Sequence, residues 1–278
     1  MKIVLLIVLF TIIYRYSKCD IVTQLKNFDS NLNSINARAF GNSTLAAYGA
    51  MVGIASTNVP AYSNGNDSYI SNEPNYLYNI YTGMRWQCVE YARRWLFIRK
   101  GCVFDSVDAA NDMWSQIFKV QRVVDGKCFS LKQYQNGSTS PPKNESLLIY
   151  SLGQDMPFGH VAVIVDVLKD SIRVAEQNYH AYYWSGNYSR QIPYVVKNGN
   201  YYIMDSYKIY GWMSVEDNNQ NYPLNQSTIN KIMEKNISFP NFICSKSVTF
   251  NQLKPIVSHH NDIRFWGKEV AHEYISQL

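Results

Sequence analysis

The chain has 278 residues, 46% of them hydrophobic and only 17% charged, with 22 Tyr and 6 Trp. That composition excludes a mainly disordered chain, and no G-X-Y or heptad repeat points to collagen or a coiled coil. The formal charge of +5 invites a nucleic-acid or membrane reading, but its source lies partly at the N-terminus.

Residues 1–19 read MKIVLLIVLFTIIYRYSKC, with one Lys before an apolar run from Ile3 to Ile13. A bilayer-spanning helix needs about 20 apolar residues, so the run is too short to span. It fits the apolar centre of a secretory signal peptide, and the small residues Ser17 and Cys19 place cleavage before Asp20. A core helix and a signal-anchor are the alternatives. Without Lys2, Arg15 and Lys18 the basic count drops from 26 to 23 against 21 acids, a net of +2. The expectation is therefore no nucleic-acid partner and no stable membrane insertion once the signal is cleaved. Sequons at Asn42, Asn66, Asn136, Asn144, Asn187, Asn225 and Asn236 fit a secreted glycoprotein or one of an endomembrane or lysosomal lumen.

Residues 20–39 form a polar lead, and the stretch to about residue 75 reads as loop, broken by Gly41, Gly49, Gly53 and Pro60. WQCVEYARRWLFIRK, residues 86–100, reads as a helix ended by Gly101. Its apolar stripe is Val89, Ala92 and Leu96 with Trp95 beside it, while Glu90, Arg94, Arg99 and Lys100 point elsewhere. A second helix is expected over Val107–Phe118 with Ser106 as N-cap. Strands follow at 146–152, 160–168 and 171–177, with Lys169 and Asp170 in the turn between the last two. Segments 194–196 and 201–207 flank Asn198–Gly199, a hairpin signal, and the block closes near 211–213. Residues 217–278 read as an extension of unknown role, with helical patterns near Ile229–Lys235 and Gly267–Ile275. Helices before an antiparallel sheet give an α+β class.

Cys88 falls in the first turn of the 86–100 helix, where free N–H groups and the positive end of the dipole favour a thiolate. Such a nucleophile needs a base and a group to orient it. His160 opens one strand, and Glu176 and Asn178 end the next. A tight turn at Lys169–Asp170 would set His160 opposite Tyr179 and turn Glu176 to the other face. A three- or five-residue loop, or a bulge, would set His160 opposite Asn178 with Glu176 diagonal to it. Sequence leaves both registers open. No C-x-x-C occurs, and His259–His260 has no Cys or carboxylate partner at metal-ligand spacing, so no metal and no cofactor are expected.

WQCVEYARRW, then GHVAVI, AEQN and GWM in that order, resembles the CHAP amidase domain of bifunctional glutathionylspermidine and trypanothione synthetase-amidases. VPAYSN before these motifs and the intervening NGS, PP and LLIY fit as well, so the domain is placed at residues 40–216. The resemblance implies a papain-like cysteine hydrolase fold. It makes Cys88 the nucleophile, His160 the base and then acid, and Glu176 the residue that orients His160. Asn178 would anchor near the oxyanion site, and Arg93 would contact a substrate carboxylate. Too few residues follow Val215 for a synthetase half, so hydrolysis without synthesis is expected. Three functions compete: an amidase of glutathionylspermidine-like conjugates, an endopeptidase of bacterial cell-wall peptides, and a non-catalytic binding module. The substrate would be a small peptide amide or a peptidoglycan peptide. Of the remaining cysteines, Cys102 with Cys128 is the candidate disulfide, leaving Cys244 free or paired between chains.

Overall fold

The structure is a computed structural model that describes residues 45–66, 68–235 and Cys244. The expected signal peptide, the polar lead, the sequons Asn42 and Asn236 and the helical pattern at 267–275 lie outside these residues.

Most of the described chain is strand. Two short hairpins come first, β1 (Met51–Ile54) with β2 (Pro60–Tyr62), and β3 (Pro74–Leu77) with β4 (Ile80–Met84). Helix α1 (Cys88–Lys100) follows, then β5 (Cys102–Val103), helix α2 (Asp112–Gln116), β6 (Lys119–Arg122) and β7 (Cys128–Gln135). The remaining strands are β8 (Ser146–Tyr150), β9 (His160–Val167), β10 (Ser171–Ala175), β11 (Arg190–Lys197), β12 (Asn200–Ile203) and β13 (Ile209–Val215), before helix α3 (Gln226–Glu234). Nine strands form one antiparallel sheet in the order β12-β11-β10-β9-β8-β13-β7-β6-β5. Few helices on a large antiparallel sheet are compatible with the α+β class.

Alternation along β8 and β9 divides the core. Leu147, Ile149, Val161, Val163 and Val165 pack with Tyr91, Ala92, Trp95 and Leu96 of α1. Leu148, Ala162 and Ile164 face the other way, into a second core with Ile172, Val174 and Trp212. Both faces of these strands are covered, so the runs are almost continuously apolar rather than alternating.

Gly101 ends α1 as expected. Its φ of 63° is left-handed, and its N–H bonds the Phe97 carbonyl. Asn198 and Gly199 both have positive φ, 52° and 77°, the turn that the Asn-Gly signal demands. Other expectations need correction. The second helix is only Asp112–Gln116 with Asn111 as N-cap, because the Asn111 N–H is tied to the Phe158 carbonyl at 3.2 Å rather than to a preceding turn. Strands β6 and β7 were not expected, although Phe129 and Leu131 are buried between the exposed Cys128, Ser130 and Lys132, a short period-two signal at the start of CFSLKQYQ. The charged residues of α1 do not face solvent: Glu90, Arg94, Arg99 and Lys100 are all buried.

The chain after β13 runs along the far end of α1. Lys100 Nζ donates to the Gln220 carbonyl and Asn221 Oδ1, and Asn218 Nδ2 donates to the Lys100 carbonyl. Ile232 of α3 joins Phe97, Val103 and Val123. Phe97 lies nine residues beyond Cys88, about 13 Å along the helix, so residues 217–235 cover the end of α1 opposite Cys88.

Cys128 is bonded to Cys244, not to Cys102. Cys102 and Cys128 lie on β5 and β7 with β6 between them, about 9–10 Å apart at strand spacing, beyond disulfide reach. Cys102 is instead a buried free thiol that accepts from Asn218 Nδ2. The Cys128–Cys244 bond spans 116 residues. Reducing it is expected to lower stability by about 2–4 kcal/mol, measurable as a shift in denaturation midpoint with and without dithiothreitol. An unchanged midpoint would show that the tether adds nothing.

Candidate active site

Trp86 and Gln87 lead into α1, with Gln87 as an extended N-cap at ψ 159° and Cys88 as the first helical residue. The first N–H groups of a helix have no intrahelical partner, so the Cys88 sulfur lies among backbone donors. His160 is the first residue of β9, placed by a tight turn at Met156–Gly159. Gly159 has φ 64°, and a Cβ there would come within 2.8 Å of both Asn111 Cβ and the Tyr150 carbonyl. That turn requires glycine.

Glu176 reaches His160 through a β-bulge. Near the turn, Ile172 pairs with Val167 and Arg173 with Asp166, the register of a tight two-residue turn. The register then shifts, so that Val174 pairs with Ile164 and Ala175 with Val163, leaving Val165 as the extra residue. Continued past β10, the shifted register sets Glu176 opposite Ala162, on the same face as His160. The unshifted register would have turned it away. His160 Nε2 and Glu176 Oε2 are 2.9 Å apart. The Cys88 sulfur is hydrogen-bonded to the same ring, which leaves Nδ1 for the thiol.

The three side chains are almost closed off, with exposures of 8% for Cys88 and 2% each for His160 and Glu176. Burial by itself would raise the Cys88 pKa. The hydrogen bond and charge of His160, with the backbone amides of Val161 and Val89, outweigh burial and lower it. Burial would likewise lower the His160 pKa, but bonds to Cys88 and Glu176 raise it to about 9. Glu176 is held well below the usual carboxylate range: burial opposes this, and the Arg190 charge and the His160 hydrogen bond overcome it. Favoured together are a thiolate, an imidazolium and a carboxylate in a row.

Asn178 sits beside this row, in left-handed backbone at φ 55°. Its Nδ2 donates to Gln87 Oε1 at 2.8 Å, and its Oδ1 accepts from Asn64 Nδ2 at 2.8 Å. Gln87 Nε2 closes the ring on Asn64 Oδ1 at 3.2 Å. Three amides thus brace the residue that precedes Cys88. Asn64 and Gln87 carried no local signal beyond their place in VPAYSN and WQC.

Arg93 is not brought to this site. The residue is 4% exposed, and its guanidinium packs on the rings of Phe104 and Tyr81 at 4.7 and 5.5 Å and donates to the Asp105 carbonyl at 3.0 Å. Burial lowers its pKa to about 10.

The sequence reading also missed two buried charge groups. Glu90 accepts from Arg94 Nε, Asn75 and Thr82 on Oε1, and from Gln177 Nε2 on Oε2. Arg94 donates to Gln177 Oε1 as well, which ties α1 to the residue after Glu176. The second group, around Arg190, supports Glu176 itself. Among the described residues no three His, Cys, Asp or Glu are grouped to hold a metal ion, and no helix is long and apolar enough to cross a membrane.

Residues 79–178 match the CHAP domain, a span that includes Cys88, His160, Glu176 and Asn178. A trypanothione synthetase of Crithidia fasciculata is 35% identical over 161 residues, 57% of this chain and 24% of that protein. A bifunctional glutathionylspermidine synthetase/amidase of Escherichia coli (strain K12) is 34% identical over 197 residues, 66% of this chain and 32% of that protein. A glutathionylspermidine synthase of Crithidia fasciculata is 29% identical over 187 residues, 60% of this chain and 26% of that protein. The chain thus spans a quarter to a third of the length of these relatives. Over residues 79–178 this chain thus matches the CHAP domain, and it is similar in sequence to a trypanothione synthetase and to a bifunctional glutathionylspermidine synthetase/amidase.

Proposed function

We propose that the chain is a cysteine hydrolase that cleaves an amide bond through a thioester intermediate, with a glutathionylspermidine-like conjugate as substrate. The observation that carries this reading is the unbroken row from Cys88 through His160 to Glu176. A cysteine-bearing helix packed on an antiparallel sheet with the histidine supports the papain-like form of the fold.

In the proposed route, the Cys88 thiolate attacks the amide carbonyl carbon and forms the C–S bond. The carbonyl oxygen becomes an oxyanion, stabilised by the Cys88 backbone N–H at the helix start. His160 then passes its proton to the departing nitrogen as the C–N bond breaks. Water, deprotonated by the now neutral His160, attacks the thioester and releases the acid and the thiolate. Glu176 keeps the ring oriented throughout, and Asn178 anchors Gln87 next to the oxyanion. Arg93 is assigned to packing on Phe104 and Tyr81, so Arg93→Ala should destabilise the fold while leaving KM for a carboxylate-bearing substrate unchanged. A KM increase in folded protein would restore the substrate role.

His160 must be protonated to donate to the leaving group. Because its pKa is raised to about 9, kcat/KM should hold through neutral pH and fall as pH passes about 9. The low-pH limb is set by the lowered thiol pKa of Cys88. A pH–rate profile that already declines above pH 7 would contradict the ion pair.

A second reading, an exported hydrolase of bacterial wall peptides, is favoured by the Cys128–Cys244 disulfide, since such bonds persist in oxidising compartments. Turnover assayed in parallel on glutathionylspermidine and on purified peptidoglycan separates the two. Activity on neither, with Cys88 unreactive, would favour a binding module.

A further inference from the structure

Glu176 is gripped from behind. Arg190 opens β11 and pairs across the ladder with Val174, two residues before Glu176. Its Nε donates to Glu176 Oε1 at 2.6 Å and its Nη2 to Oε2 at 3.2 Å, a two-pronged contact that fixes the plane of the carboxylate. Ser189 Oγ adds a bond to Oε1 at 3.0 Å. The other side of the guanidinium is equally committed: Nη1 donates to Asp205 Oδ2 at 2.9 Å and Nη2 to the Tyr150 hydroxyl at 3.0 Å. Tyr150 in turn donates to Asp205 Oδ2 at 2.8 Å. The Tyr179 ring lies 3.7 Å from the guanidinium carbon and also packs against His160.

We propose that Arg190 is a positioning residue for His160, acting through Glu176: it fixes which carboxylate oxygen meets the imidazole and keeps that carboxylate charged. The inference rests on the reading of Glu176 as the partner of His160. A carboxylate with free side-chain torsions could turn from the ring, and a buried one without a cation tends to take up a proton. Arg190 removes both freedoms. Its guanidinium remains charged at any working pH, and Asp205 with Tyr150 holds it from the far side. Its hydrogen bonds go to Glu176, Asp205 and Tyr150, so its influence on Cys88 passes through Glu176 and His160.

The groups that face Glu176 are His160 from β9, Arg190 and Ser189 at the start of β11, Tyr150 from β8, Tyr179 from the loop after β10, and Tyr91 from α1, with Asp205 lying beyond Arg190. Of these, only Arg190 brings a positive charge that persists when His160 is neutral. Without it, the Glu176 carboxyl titrates upward, and its protonated form no longer supports the imidazolium that stabilises the thiolate.

Iodoacetamide alkylation of Cys88, followed by peptide mass spectrometry from pH 4 to 9, reads this without any choice of substrate. In wild type the labelling rate should hold through neutrality and fall only in the acid range. In Arg190→Gln the acid limb should move up by about one pH unit or more, roughly a tenfold slower rate at a fixed pH on that limb. Arg190→Gln leaves Asp205 without its cation, so Arg190→Gln/Asp205→Asn, which removes one charge of each sign, should show the same shift. Arg190→Lys keeps the cation without the fork and should shift the limb less. Near-UV circular dichroism identifies the folded variants, and an acid limb superimposable on wild type in any of them overturns the proposal. Wild-type labelling with the alkaline profile of a free thiol would instead overturn the catalytic reading of Cys88, a different result.

Discussion

Cys88→Ser is expected to lower kcat for amide hydrolysis by about 10⁴-fold or more, because a serine in this setting has no low-pKa anion to offer the carbonyl. The fold should persist, since the substitution changes one atom in the first turn of α1. Labelling gives the complementary result. Iodoacetamide at neutral pH should modify Cys88 far ahead of Cys102, the other free thiol among the described residues. Cys102 is buried, and that burial pushes its pKa up to about 12, so its thiolate is scarce. Cys128 and Cys244 are bonded to each other and do not react. His160→Ala should slow both labelling and turnover by removing the cation that lowers the thiol pKa. Equal labelling of Cys88 and Cys102, or a Cys88→Ser variant with residual turnover near wild type, would end the nucleophile assignment.

Arg94→Met should cost about 3–5 kcal/mol, the loss expected when one member of a buried ion pair is removed. For a domain of this size that is a melting-point drop of about 10 °C. Arg94 Nε lies 2.8 Å from Glu90 Oε1, and both side chains are almost fully buried. Removing Arg94 leaves the Glu90 carboxylate with Asn75, Thr82 and Gln177, three neutral partners. The double variant Glu90→Gln/Arg94→Met should recover part of the loss, because no charge is then left unpaired. Gln177 bonds both members of the pair and precedes the Asn178 that braces Gln87. The single variant should therefore also disturb the site it supports. Thermal unfolding of the two single variants and the double variant closes the cycle, and a coupling near zero would remove the pair from the account of stability.

The sequence by itself determined the local features. Gly101 stops α1, the Asn198–Gly199 pair turns β11 into β12, and the apolar runs at 146–150 and 160–167 are strands. Each depends on backbone preferences and side-chain periods that act over a few residues, so neighbours in the chain suffice to read them. The placement of Cys88 at a helix start belongs to the same class.

What only the tertiary structure decided involves partners far apart in the chain. The turn after β9 takes the tight form that would have carried Glu176 to the wrong face, and the bulge at Val165 reverses this. Periodicity gives the parity of a strand but not where one extra residue enters the ladder. The charged side of α1 gives no local sign of its burial because its partners, Asn75, Thr82 and Gln177 for Glu90 and Glu145 for Arg99, come from other segments. Arg93 fails as a cleft residue for the same reason, since Tyr81 and Phe104 close over it. Cys102 and Cys128 could be judged unable to bond only once β6 was known to run between them. Arg190 shows no signal in its own neighbourhood, and it supports Glu176 because β11 lies next to β10. Burial makes these contacts consequential, because a buried charge or carboxylate needs its partner held in place, and which partner is near depends on which strands adjoin.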